Sequence, residues 1–120
     1  MATTLYERLG GAEGIARLVD DAVDAHLMNP KVKTRFENTK DIEHAKKMSR
    51  EFFSAGAGGP ETYTGRDMLT THKGMNISEQ EYVAVVDDIL GAMDKNKLGA
   101  DEKKDVLAIL YSLKGDIIRV

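Results

Sequence analysis

Apolar side chains in this chain recur every three to four residues from near its start to its end, and no segment alternates apolar with polar as a half-buried strand does. After Gly10 and Gly11, the residues Ile15, Leu18, Val19, Ala22 and His26 fall at offsets of three, four, seven and eleven, a single stripe with a polar far side. From Asp41 onward the inward positions by the same spacing are Ile42, Ala45, Met48 or Ser49, Phe52 and Phe53. A third stripe holds Tyr82, Val85, Val86, Ile89 and Met93, and a fourth holds Val106, Ile109, Leu110, Leu113 and Ile117. Four stripes of helical period predict an all-α domain whose helices bury one face each.

Punctuation residues set the boundaries. Thr4 is a capping residue for a short turn of helix that Gly10-Gly11 breaks. Asn29-Pro30 predicts a cap followed by proline at the first helical position of a short piece through Val32 and Phe36. Asp41 caps the second long stripe, which runs into the small residues Ser54-Ala55-Gly56-Ala57-Gly58-Gly59, poor choices for a helix interior. Ser78-Glu79-Gln80-Glu81 is a capping box for the third, and Lys95, Lys97 and Gly99 mark its end. Residues 10–28 and 41–57 should pack as one antiparallel pair, and the last two long helices as another.

At 120 residues the chain is expected to form one domain, residues 1–120, large enough for a core without staples. It contains no cysteine, which excludes thiolate zinc sites and any dependence on disulfides. Seventeen lysines and arginines against twenty acidic residues leave a net charge of −3, so no electrostatic footprint for nucleic acid or an anionic membrane surface is present. No apolar run approaches spanning length, and MATTLYERLGG lacks a basic segment followed by an apolar one. A cytoplasmic monomer is the expectation.

The stretch from Gly58 to Gly74, GGPETYTGRDMLTTHKG, fits none of the stripes. In it Met68 and Leu69 lie one turn before His72, beside whose imidazole they would place two apolar side chains. A histidine so placed can be a hydrogen-bonded core residue or can offer one axial nitrogen to a flat apolar cofactor. The Gly-Gly stop, the Tyr63-Thr64-Gly65 loop and His72-Lys73-Gly74, together with Leu5-Tyr6-Glu7-Arg8-Leu9-Gly10-Gly11 near the start, resemble the proximal and opening motifs of group I truncated haemoglobins. The resemblance runs over essentially the whole chain and implies the two-over-two helical sandwich of the truncated globins enclosing a haem b.

Residue by residue, the resemblance makes His72 the iron ligand and Phe36 a wedge against the porphyrin. It places Phe52 and Phe53 on the distal helix, and Tyr82, Val86 and Ile89 on the cofactor wall, although each reads equally well as plain core. Met68 and Leu69 flank the histidine, and Lys46, Lys47 and Arg66 are candidates for the propionates. The distal side departs from the family pattern. Val23 stands where the family has a tyrosine and Ala22 where it has a phenylalanine, and Ala45, Met48 and Ser49 occupy the positions around the sixth coordination site. Only the Ser49 hydroxyl among them could donate. A donor to a charge-polarised ligand such as dioxygen is worth about 1.5–3 kcal/mol, so its loss tilts preference toward carbon monoxide and nitric oxide.

The resemblance therefore implies reversible binding of diatomic gases (dioxygen, carbon monoxide, nitric oxide) for oxygen transport, storage or sensing, served by a reductase. Dioxygenation of nitric oxide, which occurs in the family, would be weakened without the tyrosine. Met48 reads either as flexible filler or as a thioether ligand, and the latter would make a six-coordinate His/Met protein for electron transfer or redox sensing. A haem-free helical interaction module is the third reading. His26 reads as a core or rim histidine and His44 as solvent-facing.

Overall fold

The computed structural model describes residues 4–37 and 41–120. In chain order the helices are α1 (Leu5–Arg8), α2 (Gly11–Met28), α3 (Lys33–Glu37), α4 (Ile42–Gly56), α5 (Met68–His72), α6 (Glu79–Lys95), α7 (Ala100–Ser112) and α8 (Lys114–Ile117). The only β feature among the described residues is an isolated parallel bridge between Ile77 and Ile118. The all-α class follows the apolar spacing.

The central element is α2, packed against α6 on one side and α4 on another. All five residues of its expected stripe are buried, with Ile15, Leu18 and Val19 at most 1% exposed. The four apolar ones meet Ile89, Ala92 and Met93 of α6 and Val106 of α7 in one core cluster. Helix starts follow the capping residues. The Thr4 side chain accepts the Glu7 N–H, Asp41 accepts from His44, and Ser78 and Glu81 form the reciprocal capping box.

Two boundaries differ from the sequence expectation. Pro30 does not open α3: the Asn29 side-chain oxygen accepts the Lys31 N–H at 3.1 Å and its carbonyl accepts from Val32 and Lys33, so a turn intervenes and α3 begins at Lys33. The fourth stripe is split at Leu113 into α7 and α8. Of its members only Val106 is fully buried; Leu110 and Ile117 pack against Ile77, Tyr82 and Val86 and also line a cavity.

The opening motif and the Gly-Gly stop form one contact. Gly58, at φ 87°, ends α4 in the left-handed conformation. A Cβ on Gly59 would come within 2.3 Å of the Tyr6 ring and 2.5 Å of the Ser54 hydroxyl. The Tyr6 N–H donates to the Ala57 carbonyl at 2.9 Å, so α1 docks on the end of α4 through the space those glycines leave.

Gly14 and Gly91 predict opposite signs for the same substitution. A Cβ on Gly14 would stand 2.1 Å from the Leu9 carbonyl oxygen, where α1 crosses α2, whereas one on Gly91 meets nothing within 4 Å. Gly14→Ala should destabilise by roughly 1–3 kcal/mol through forced backbone displacement. Gly91→Ala should stabilise by up to about 1 kcal/mol through helix propensity alone. Thermal and urea unfolding of the two variants check both signs.

Candidate functional site

Helices α3 to α8 leave a cavity of about 250 Å³ between them. Phe36 and Arg35 of α3 and Ala45 of α4 form one side of it. Thr71 and His72 of α5 and the following Met75 and Ile77 form another. Glu81, Tyr82, Val85 and Val86 of α6 make the wall, closed by Leu110 of α7, Ile117 of α8 and Val32. The lining is apolar except for His72, Thr71, the Tyr82 hydroxyl and one ion pair.

His72 is the last residue of α5, and its Nδ1 lies 2.8 Å from the Met68 carbonyl oxygen. A carbonyl only accepts, so Nδ1 carries the proton and donates it, and Nε2 is the ring's lone-pair nitrogen. The accepting carbonyl is in the first residue of α5 itself, one turn back, and not in the preceding loop.

The short helix cannot hold itself and is fastened at both ends. Asp67 caps it, and hydrogen bonds from Thr70 hold that carboxyl below its ordinary range, so the cap is charged at neutral pH. Ahead of it the loop is tied to α4. Both the N–H and the hydroxyl of Thr64 donate to Glu51, and the Tyr63 ring sits edge-on to Phe52 with centroids 5.6 Å apart. Behind it the Gly74 N–H donates to the Val120 carbonyl and the Arg119 N–H to the Ile77 carbonyl, both at 3.0 Å.

The polar groups on the wall are committed. The Tyr82 hydroxyl donates to the Leu110 carbonyl, and burial raises its pKa, so it stays a protonated donor to backbone. Arg35 and Glu81 pair through two bonds, Nε to Oε2 at 2.6 Å and Nη2 to Oε1 at 3.1 Å, and Oε1 also accepts the Ser78 N–H. Chiefly through Arg35, the Glu81 carboxyl is pushed down to about 2. One imidazole in an apolar slot with a charged pair at its edge is a donor set that fits a haem, and the group itself is not part of the structure. Among the described residues no three histidine, aspartate or glutamate side chains converge to hold a bare metal ion.

Of the residues picked from sequence, the structure brings together Phe36, Ala45, His72, Tyr82 and Val86. Val23 and Ile89 lie in the main core. Met48 and Ser49 are half-buried on α4, outside the cavity lining. Phe52 and Phe53 line a second, much smaller apolar cavity with Leu5, Leu9 and Val106. Met68 is half-buried beside the cavity lining and Leu69 is 43% exposed. Lys46 pairs with Asp20 of α2 at 3.4 Å, and Lys47 and Arg66 are exposed. Sequence reasoning missed Arg35, Glu81, Thr71, Met75 and Ile77 as lining, and had Val32, Val85, Leu110 and Ile117 only as apolar helix positions. Glu81 had been legible as half of a capping box, and no local signal marks its second bond across to α3.

A protein-family model described as bacterial-like globin matches residues 4–119. Over 90 residues the chain is 32% identical to a group 1 truncated haemoglobin of Tetrahymena pyriformis, covering 75% of this chain and 74% of that one. Over 100 residues it is 30% identical to one of Tetrahymena thermophila, covering 83% and 80%. The crystal structure of the Tetrahymena pyriformis protein in its Fe(III) form superposes with a TM-score of 0.93 over 98% of this chain and 100% of that one, at 24% identity. A group II truncated haemoglobin from Bacillus anthracis has the same fold, with a TM-score of 0.88 and 21% identity over 100% and 94% of the chains. This chain belongs to the bacterial-like globins, as a group 1 truncated haemoglobin.

The depressed Glu81 carboxyl has a consequence for acid stability. Because its folded pKa is about 2 against an ordinary 4.5, the stabilisation is complete above pH 4.5 and is lost as pH falls toward 2. Glu81→Gln should cost on the order of 1 kcal/mol at pH 7 through the pair and the cap together. It should also flatten the fall in melting temperature between pH 4.5 and 2, which a series of melts against pH measures.

Proposed function

We propose that this chain holds a haem b through His72 and binds diatomic gases on the opposite side of the iron, next to Ala45. The observation that carries the proposal is the His72 Nδ1–H bond to Met68, which leaves Nε2 as the lone-pair nitrogen of a ring in the cavity wall. When bound, haem supplies an iron that takes a gas as its sixth ligand. The protein's own part is to orient the imidazole, to exclude water with Phe36, Val85, Val86 and Leu110, and to set the polarity of the gas side. Ala45 is the α4 residue in the lining, and its methyl donates no hydrogen bond.

The absence of a donor from Ala45 supports dioxygen release that is fast for a globin and a relative preference for carbon monoxide and nitric oxide. On this reading the propionates meet Arg35 at the cavity edge, exchanging with Glu81. The same reading has the protein act as a cytoplasmic monomer in oxygen transport or gas sensing, with a separate reductase returning the iron to the ferrous state.

His72→Gly should purify with little haem yet keep most of its helical circular dichroism, and added imidazole should restore the Soret band. A variant with a normal five-coordinate ferrous spectrum and no added imidazole would rule out His72 as the ligand.

Ala45→Gln places an amide donor on the gas side. It should slow dioxygen release by about an order of magnitude, the worth of one hydrogen bond to a polarised ligand, with little loss of stability because the side chain enters open space. Stopped-flow dissociation of dioxygen gives the number, and an unchanged rate would mean that Ala45 does not face the bound gas.

A further inference from the structure

Outside the lining, a buried polar cluster touches the cavity through one ring. His26 is 5% exposed and stacks on Phe36, with centroids 4.6 Å apart and planes inclined by 22°. Its Nδ1 lies 2.8 Å from an Asp88 oxygen, and both oxygens of Asp88 accept from the Asn29 amide at 3.2 Å. Three segments meet there: α2 through His26, the turn after it through Asn29, and α6 through Asp88. Phe36 belongs to α3, whose five residues are too few to be a stable helix alone. The plane of its ring must therefore be set from outside α3, and the imidazole lies against one face of it.

From this geometry we infer that His26 is a positioning residue for the cofactor: locked by Asp88, it fixes the Phe36 ring in the cavity wall and so sets how tightly haem is held. The inference rests on haem being the occupant of the cavity. A carboxylate accepts, so His26 donates Nδ1–H to Asp88, and the direction of the ring is settled by that bond. Burial lowers the His26 pKa more than Asp88 raises it, which keeps the ring neutral and flat against Phe36 at neutral pH. The stripe of α2 explained the burial of His26 but not the bond, since Asp88 is sixty-two positions away on another helix.

The test is haem transfer from the ferric holoprotein to excess apomyoglobin, followed at the Soret band. His26→Leu, which removes both stack and bond, and His26→Gln, which can keep a bond to Asp88 but cannot stack, should each speed transfer by on the order of tenfold. Phe36→Leu should do the same, and His26→Leu added to Phe36→Leu should bring no further increase, because the effect passes through Phe36. Hyperfine-shifted haem methyl resonances should split into more than one set in the His26 variants as the ring loses its single plane. Should His26→Leu fail to fold, Asp88→Asn, of nearly the same size, reads the loss of the lock with the same two signals. Additive effects in the double variant would overturn the inference, as would a wild-type transfer rate and a single set of methyl resonances in His26→Gln. A wild-type protein without a Soret band would instead overturn the haem reading.

Discussion

The packing of α2 between α4 and α6 is the constraint on which the rest depends. Its stripe is buried from Ile15 to His26, and α6 answers it with Ile89, Ala92 and Met93. Burial of each such side chain is worth about 1.5–3 kcal/mol, which offsets the ordering of long helices but leaves little for the short ones. Consequently α3, α5 and α8 are held by contacts they do not own. The tie from Thr64 to Glu51 and the His26–Phe36 stack each bring a short segment to a long helix, and the bridge from Ile77 to Ile118 fastens the segment after α5 to the end of α8.

That division of labour is what makes a cavity possible. The long helices close the core around Leu18 and Met93, while the short segments stand off from α6 and α7 and leave one face of each unfilled. Tyr82, Val86, Leu110 and Ile117 continue the apolar stripes into a second, smaller cluster with Ile77, and there they line the cavity as well as one another. The polar atoms on the wall are turned into the protein: the Tyr82 hydroxyl to Leu110, His72 Nδ1 to Met68, Glu81 to Arg35 and Ser78. An apolar slot with a lone-pair nitrogen remains, which is the chemistry a flat metalloporphyrin requires and a bare metal ion does not.

Group 1 relatives at 30% and 32% identity share the chain's family, and the fold is common to a group II protein at 21%. Of Val23, Ala45 and Met48, only Ala45 reaches the cavity lining, so α4 presents a single methyl group to that space, while Val23 is spent on the main core.

Sequence by itself determined the helices, because a 3.6-residue period and capping residues act locally: the α2 stripe, the Ser78 box and the Asp41 cap needed no knowledge of the partner. It also determined the candidate ligand, through the order of motifs around His72. Tertiary structure decided which inward residues meet a neighbour and which meet a void. Periodicity could not separate Ile89, in the core, from Val86, on the cavity wall, since both occupy the same face of α6. Nor could it pair Glu81 with Arg35, His26 with Asp88, or Lys46 with Asp20, because each contact is made between segments whose distance in the chain carries no local pattern. The reason is physical: a helix's period reports which way its side chains point, and only the docking of one helix on another decides what they touch.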